Sequence, residues 1–146
     1  MKAVLQRVSA ARVRVGDETV GEIGEGLCVF VGIARGDDEG AAPRLAAKIV
    51  RLRIFADEEG RFDRSLIDVG GAALVVSQFT LLADTTKGNR PSFTGAAQPE
   101  DAERLYDRFC AELESLNVPV SRGVFGAKME VDLSNDGPVT IILDER

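Results

Sequence analysis

Residues 131–143 read Val-Asp-Leu-Ser-Asn-Asp-Gly-Pro-Val-Thr-Ile-Ile-Leu, and the placing of this stretch decides how the chain folds. Val131 and Leu133 share one parity, as do Val139, Ile141 and Leu143, so both flanks read as β-strand. Between them, Asn135-Asp136-Gly137-Pro138 reads as a chain reversal or sharp bend. Gly137 tolerates backbone angles that other residues avoid. Pro138 fixes its own φ, removes a donor and restricts the residue before it. Two readings of this centre stand side by side. One is an ordinary β-turn; the other is a stiff tip that presents main-chain atoms to a ligand.

A chain of 146 residues, 45% hydrophobic and 29% charged, has the size and composition of one globular domain, expected over residues 1–146. The formal charge of −6 argues against a protein that coats nucleic acid non-specifically, while leaving room for a small site for one nucleic-acid end. There is no histidine. That removes Ser-His-Asp and Cys-His chemistry and any zinc site built on imidazole. Cys28 and Cys110 lie in apolar settings and read as buried thiols rather than a disulfide. No glycine-rich nucleotide loop is present, and neither a metal nor a cofactor is expected. Met1-Lys2 leads into an alternating strand rather than a signal sequence, and no apolar run reaches membrane-spanning length. A reducing cytoplasm is the expected setting, with no membrane partner.

Outward from the opening stretch, Ala3–Val8 alternates as a first strand, Ser9-Ala10 breaks it, and Arg12–Val15 resumes. Arg7 either extends its head to solvent or anchors carbonyl or carboxylate oxygens. Gly16-Asp17 turns into Thr19–Ile23, a hairpin. Leu27–Ile33 is apolar on both parities and reads as a central strand covered on both faces, with Gly32 marking a close approach or bulge. Residues 41–55 change to helical spacing through Leu45, Ile49 and Leu52. Leu74, Val75 and Val76 form a buried strand. Ser77, Gln78 and Thr80 then place polar groups where burial is expected to continue, a signal of a site or of local backbone satisfaction. The long connection 84–98 carries Lys87-Gly-Asn-Arg90-Pro-Ser-Phe93, which reads either as a phosphate-touching loop or as a solvated basic one. Pro99 opens a second helix with apolar positions Ala102, Leu105, Tyr106, Phe109, Leu113 and Leu116, ended by Asn117 and Pro119. The expected fold is therefore α/β (mixed α+β): a single domain with a curved, largely antiparallel sheet covered by two main helices. Edge strands and an apolar early hairpin make a symmetric dimer plausible.

Two motifs then stand out: Ser77-Gln-Phe-Thr-Leu81, and Asn135-Asp-Gly-Pro-Val-Thr140 of the form Asn-x-Gly-Pro-x-Thr. With the opening Met-Lys-Ala-Val-Leu-Gln-Arg-Val and the 87–93 loop, the chain resembles the bacterial-type D-aminoacyl-tRNA deacylase (D-tyrosyl-tRNA deacylase) family along essentially its whole length. The resemblance implies a cytoplasmic, tRNA-binding hydrolase of translation quality control. It would cleave the ester between a D-amino acid, or glycine, and the 3′-terminal adenosine of tRNA. It also implies a homodimer in which Gly137 and Pro138, joined by a cis bond, face the partner's Ser77, Gln78, Phe79 and Thr80. Arg7 would tether the Gly-Pro loop, with Asn135 and Thr140 completing its motif. Met129 would lie near the pocket, and Lys87 and Arg90 would meet acceptor-end phosphates.

The residues suggest how such a site works. Rigid carbonyls set where an L side chain would go reject L by collision while glycine passes. With no evident base to activate Thr80, the terminal 2′-OH of the RNA would assist, and N–H groups around Phe79 and Thr80 would hold the developing oxyanion. The other reading is a non-catalytic module that binds aminoacyl-tRNA or a small D-amino acid derivative in the same pocket.

Overall fold

In a computed structural model, residues 1–145 are described. The strands are β1 (Lys2–Val15), β2 (Glu18–Ile23), β3 (Gly26–Gly32), β4 (Phe55–Ala56), β5 (Phe62–Arg64), β6 (Ala72–Ser77), β7 (Val120–Arg122) and β8 (Glu130–Asp144). Helix α1 spans Ala41–Arg51, α2 spans Pro99–Ser115, and a 3-10 turn spans Phe79–Leu82. Among the described residues, no helix is long and apolar enough to cross a membrane.

Strand β1 is the spine of the sheet. It runs antiparallel to β3 along Lys2–Val8, to β2 along Ala11–Val15, and to β8 along Lys2–Arg14. Beyond β3 the sheet turns parallel, β3 to β6 and β6 to β7. It then curls until β7 meets β2, where the Ser121 hydroxyl donates to the Glu22 carbonyl at 3.1 Å. The expected mixed domain, with its curved sheet and two covering helices, is the one observed.

The curl makes two cores, and strand alternation assigns residues between them. Leu27, Val29, Val31, Ala73 and Val75 lie under the helices; Cys28, Leu74 and Val76 point into the barrel-like interior. This two-sided burial is why Leu27–Ile33 lacks a polar parity. Helix α1 buries Leu45, Ala46, Ile49 and Val50 in the first core, and α2 adds Leu105, Tyr106, Phe109 and Leu113. Pro99 opens α2 as expected, Glu100 and Asp101 occupy its first turn, and Asn117 takes the left-handed conformation just past its end (φ 68°). Both thiols are free and buried; burial pushes Cys28 up to about 12 and Cys110 up to about 11.

Two sequence expectations change, and one open alternative is decided. Ser9-Ala10 does not break β1, which is continuous. Instead the pairing with β8 slips between Val8 and Ala10. Around that slip the strand exchanges faces: Ala3 and Leu5 lie in the helix-covered core, whereas Ala11 and Val13, of the same parity, lie in the interior one. The first helix stops at Arg51 rather than 55, because Leu52 turns to extended geometry and Phe55 begins a small hairpin with β5. The 135–138 segment is a bend, not a reversal, since both flanks continue along β1 in one direction as β8.

Helix α2 is held chiefly by packing. Phe109 is fully buried, whereas the Tyr106 hydroxyl donates a hydrogen bond to the Val75 carbonyl at 2.8 Å. Phe109→Ala is expected to cost about 3–5 kcal/mol and Tyr106→Phe about 1 kcal/mol. Urea unfolding of both variants at one protein concentration checks this; an equal or reversed order would contradict it.

Candidate functional site

The three parallel strands end on one side of the sheet, and each is followed by a piece of the same cavity. Ile33 and Arg35 follow β3; Ser77, Gln78 and Phe79 end or follow β6; Phe125, Ala127 and Met129 follow β7. The cavity measures about 590 Å³ and is completed by Phe93, Ala96, Ala97 and the start of α2. Ligand sites at the carboxyl ends of parallel strands are the general rule in α/β sheets.

Its floor is the first motif. Strand β6 stops at Ser77, where the chain enters the 3-10 turn, so the polar residues mark the end of burial rather than its continuation. Ser77 and Gln78 are half-buried; Phe79 and Thr80 are exposed. The Gln78 N–H donates to the Val31 carbonyl at 2.8 Å, and the Leu81 N–H to the Gln78 carbonyl at 3.1 Å. The N–H groups of Phe79 and Thr80 open the turn and, as first-turn donors, find no acceptor within it. The Gln78 side-chain amide donates to the Thr80 hydroxyl oxygen. Phe79 packs edge-on against Phe93, ring centroids 5.0 Å apart, an arrangement worth about 0.5–1.5 kcal/mol. This contact ties the 84–98 connection to the floor. An antiparallel bridge between Asp84 and Ser92 closes the base of its loop. The Thr86 backbone N–H and hydroxyl both bond Asp84 and hold its carboxyl below the usual range. Lys87 and Arg90 sit exposed on that loop.

The second motif makes a separate group. Between the pairs Gln6–Thr140 and Val8–Asn135, one residue of β1, Arg7, opposes four of β8, residues 136–139. Asp136, Gly137 and Pro138 are exposed at this bulge, and the Gly137–Pro138 bond is cis. Arg7 anchors oxygens, as one of its two sequence readings had it. Its Nε donates to the Asp136 carbonyl at 3.2 Å and its side-chain NH1 to the Ile54 carbonyl at 2.8 Å. The Asp136 carboxylate lies 3.4 Å away, and the Phe62 ring centroid lies 5.8 Å from the guanidinium carbon. Gly137 has φ of 126°, and a Cβ there would stand 2.8 Å from Val139 Cγ2 and 3.1 Å from Arg7. The position is closed to other residues on both counts. Asn135 fastens the base: its amide nitrogen donates to Gln6 at 2.7 Å, its oxygen accepts from the Val139 N–H at 3.3 Å, and the Thr140 hydroxyl donates to the same Gln6 oxygen.

The chain therefore gathers Ser77, Gln78, Phe79 and Met129 around the cavity, with Thr80 attached through Gln78. It gathers Arg7, Asn135, Gly137, Pro138 and Thr140 elsewhere, and none of these lines the cavity. Sequence reasoning missed Arg35 and Phe125 as wall residues. Arg35 and Phe125 carry no local signal of a site, and only knowledge that β3, β6 and β7 are parallel neighbours would have aligned their ends. Among the described residues, no group of three His, Cys, Asp or Glu side chains could hold a metal ion.

Residues 4–144 match the D-Tyr-tRNA(Tyr) deacylase family. A D-aminoacyl-tRNA deacylase of Roseiflexus sp. (strain RS-1) is 64% identical over 99% of this chain and 93% of its own length. One from Dehalococcoides mccartyi (strain ATCC BAA-2266 / KCTC 15142 / 195) is 58% identical over 100% of this chain and 95% of its own. Among solved structures, the c-Myc DNA Unwinding Element Binding Protein superposes with a TM-score of 0.94 at 43% identity, covering 100% of this chain and 99% of that one. A probable eukaryotic D-amino acid tRNA deacylase shares the fold, with a TM-score of 0.81 at 21% identity over 97% of each chain. With both sequence motifs in place and a match over nearly its full length, the chain belongs to the D-Tyr-tRNA(Tyr) deacylase family.

Proposed function

We propose that this protein hydrolyses the ester between a D-amino acid, or glycine, and the 3′-terminal adenosine of tRNA, a proofreading step in the cytoplasm. The observation that carries the reading is the cavity at the ends of the parallel strands, floored by Ser77, Gln78 and Phe79 and lined by hydrophobic wall residues. An apolar pocket with few polar groups suits a nucleoside and an ester carbonyl. The name of the c-Myc DNA Unwinding Element Binding Protein speaks of DNA; a net charge of −6 is a poor match for extended duplex contact here.

Selectivity falls to the Gly137-Pro138 bulge. Its exposed backbone, pinned by Arg7, is a rigid surface for rejecting an L side chain, and glycine offers nothing to reject. Within one chain the bulge does not line the cavity, so the wedge acts on a second copy, as a homodimer with cross-subunit sites would arrange. Strand β8 favours such pairing: Ile142 is 76% exposed, beside half-buried Val139, Ile141 and Leu143. Lys87 and Arg90 take the phosphates of the acceptor end.

For the chemical step, the Thr80 hydroxyl accepts a hydrogen bond from Gln78, an arrangement that positions its oxygen without removing its proton. The terminal 2′-OH of the RNA assists the attack, and the Phe79 and Thr80 N–H groups stabilise the oxyanion.

Matched D-, L- and glycyl-tRNA should give fast, negligible and intermediate release of free amino acid at substoichiometric protein; stoichiometric retention without release would make the chain a binding module. Arg7→Ala should narrow the D-to-L ratio at least tenfold, because the bulge loses its anchor, and comparable wild-type rates on D and L would refute the wedge. A tRNA ending in 2′-deoxyadenosine should be cleaved at least a hundredfold more slowly, while Thr80→Ala retains much of its rate; the opposite pattern would make Thr80 the nucleophile. Ile142→Asp, at an exposed position of the isolated chain, should change chain stability by less than about 0.5 kcal/mol yet yield monomers that no longer separate D from L. Sedimentation of a still-dimeric Ile142→Asp would remove β8 from the interface.

A further inference from the structure

The basic side chains of this protein divide sharply by partner. Among the described residues, most arginines lie against a carboxylate, for example Arg14 on Glu130 at 2.8 Å and Arg44 on Asp38 at 3.0 Å. Arg35 makes no ion pair with any described residue, although its own loop carries Asp37 and Asp38. Those acids are engaged elsewhere. Asp37 takes the Met1 ammonium and the Ala34 N–H, and Asp38 takes Arg44.

The backbone of Arg35 is nevertheless fixed. It occupies the second position of a hydrogen-bonded turn, with the Asp37 N–H donating to the Ala34 carbonyl at 3.1 Å. Gly36 follows with φ of 90°, the angle that the third position of a type II turn requires. The Arg35 N–H itself donates to the Gly95 carbonyl at 2.8 Å. An exposed guanidinium with no acid partner among the described residues is thus held on a rigid corner at the wall of the cavity. Lys128, also exposed and without an ion pair among the described residues, stands between wall residues Ala127 and Met129 on the segment that follows β7.

We infer that Arg35 binds the phosphodiester immediately 5′ of the terminal nucleoside, gripping it as the RNA end leaves the cavity, with Lys128 as a secondary cation. The inference rests on the proposed function: once the terminal nucleoside and its ester fill the cavity, the next group along the strand at its rim is a phosphate. A guanidinium suits that group because its parallel N–H donors match two phosphate oxygens. Neutralising Arg35 with a carboxylate from its own loop would compete with the ligand, and the structure directs both of those carboxylates away.

The test uses two D-aminoacyl esters, one on adenosine and one on cytidylyl-(3′,5′)-adenosine, which differ by the single phosphodiester and its nucleoside. For Arg35→Ala, kcat/KM on the dinucleotide ester should fall about tenfold or more, through KM, with kcat little changed. The adenosine ester should be impaired far less, and Arg35→Lys should recover part of the loss. On full tRNA, the plot of log kcat/KM against log salt should become shallower by about 0.7, the slope that one neutralised phosphate contributes on a single strand. Arg51→Ala, at the end of α1 and off the cavity wall, is the control and should match wild type on all substrates. An Arg35→Ala enzyme unchanged on the dinucleotide ester, or equally impaired on both esters, overturns the inference while leaving the proposed function intact. Wild-type protein inactive on both esters and on tRNA removes the proposed function, and this inference with it.

Discussion

Arg7 holds the structure's least regular point. Its side chain is only 11% exposed, and it joins three segments: β1 through its own backbone, the β8 bulge through the Asp136 carbonyl, and the approach to β4 through the Ile54 carbonyl. Without it, two carbonyls that now receive charge-assisted hydrogen bonds would lose them, at about 1–3 kcal/mol apiece where burial keeps water away. The bulge has four residues against one, and its own chain offers few other fastenings: Asn135 and Thr140 secure its base through Gln6, and Arg7 secures its tip.

That bulge is also where β8 passes between cores. Val131 and Leu133 pack with the barrel-like interior, while Val139, Ile141 and Leu143 pack with the core under the helices. Strand β1 makes the same exchange beside it. Two long strands thus stitch both cores together, and the irregularities fall side by side because paired strands must change faces together. Strands β3, β6 and β7 run parallel and end together, and the cavity opens at their ends. Stability and site therefore come from different pairings of one sheet.

Much of this was legible in the sequence because it followed local rules. The hairpin around Gly16, the two-sided β3, and α2 with Pro99 at its start and Asn117 past its end each carry their own signal. The motifs marked the cavity floor and the bulge residues as places of interest. What escaped was non-local. Ser9 and Ala10 look like a strand break because alternation fails there, yet β8 pairs across the fault and keeps the strand whole. The same support decides between the two readings of Asn135–Pro138, reversal and bend, in favour of the bend, since β1 continues beside both flanks. Phe55 fits a helical stripe by spacing, but the hairpin with Arg64 claims it instead. Arg35 became visible only when the ends of β3, β6 and β7 were placed together.

The exchange of faces in β1 gives that strand something like a reading frame. Upstream of Ser9 the odd-numbered residues belong to the helices; downstream they belong to the barrel. The chain opposite keeps the same count: Val8 sits across from Gly26 and Ala11 across from Ile23, so both sides take equal steps through the junction. Removing one residue from β1 alone would leave the two sides out of step. Either β2 would then slide by one position, turning Ile23 away from the interior, or the opposite chain would have to bulge. Substitutions along β1 are judged one at a time by their neighbours, but its length between Val8 and Ala11 is judged by both cores at once. Spacing at this point is therefore a stronger constraint on the chain than the identity of any residue within it.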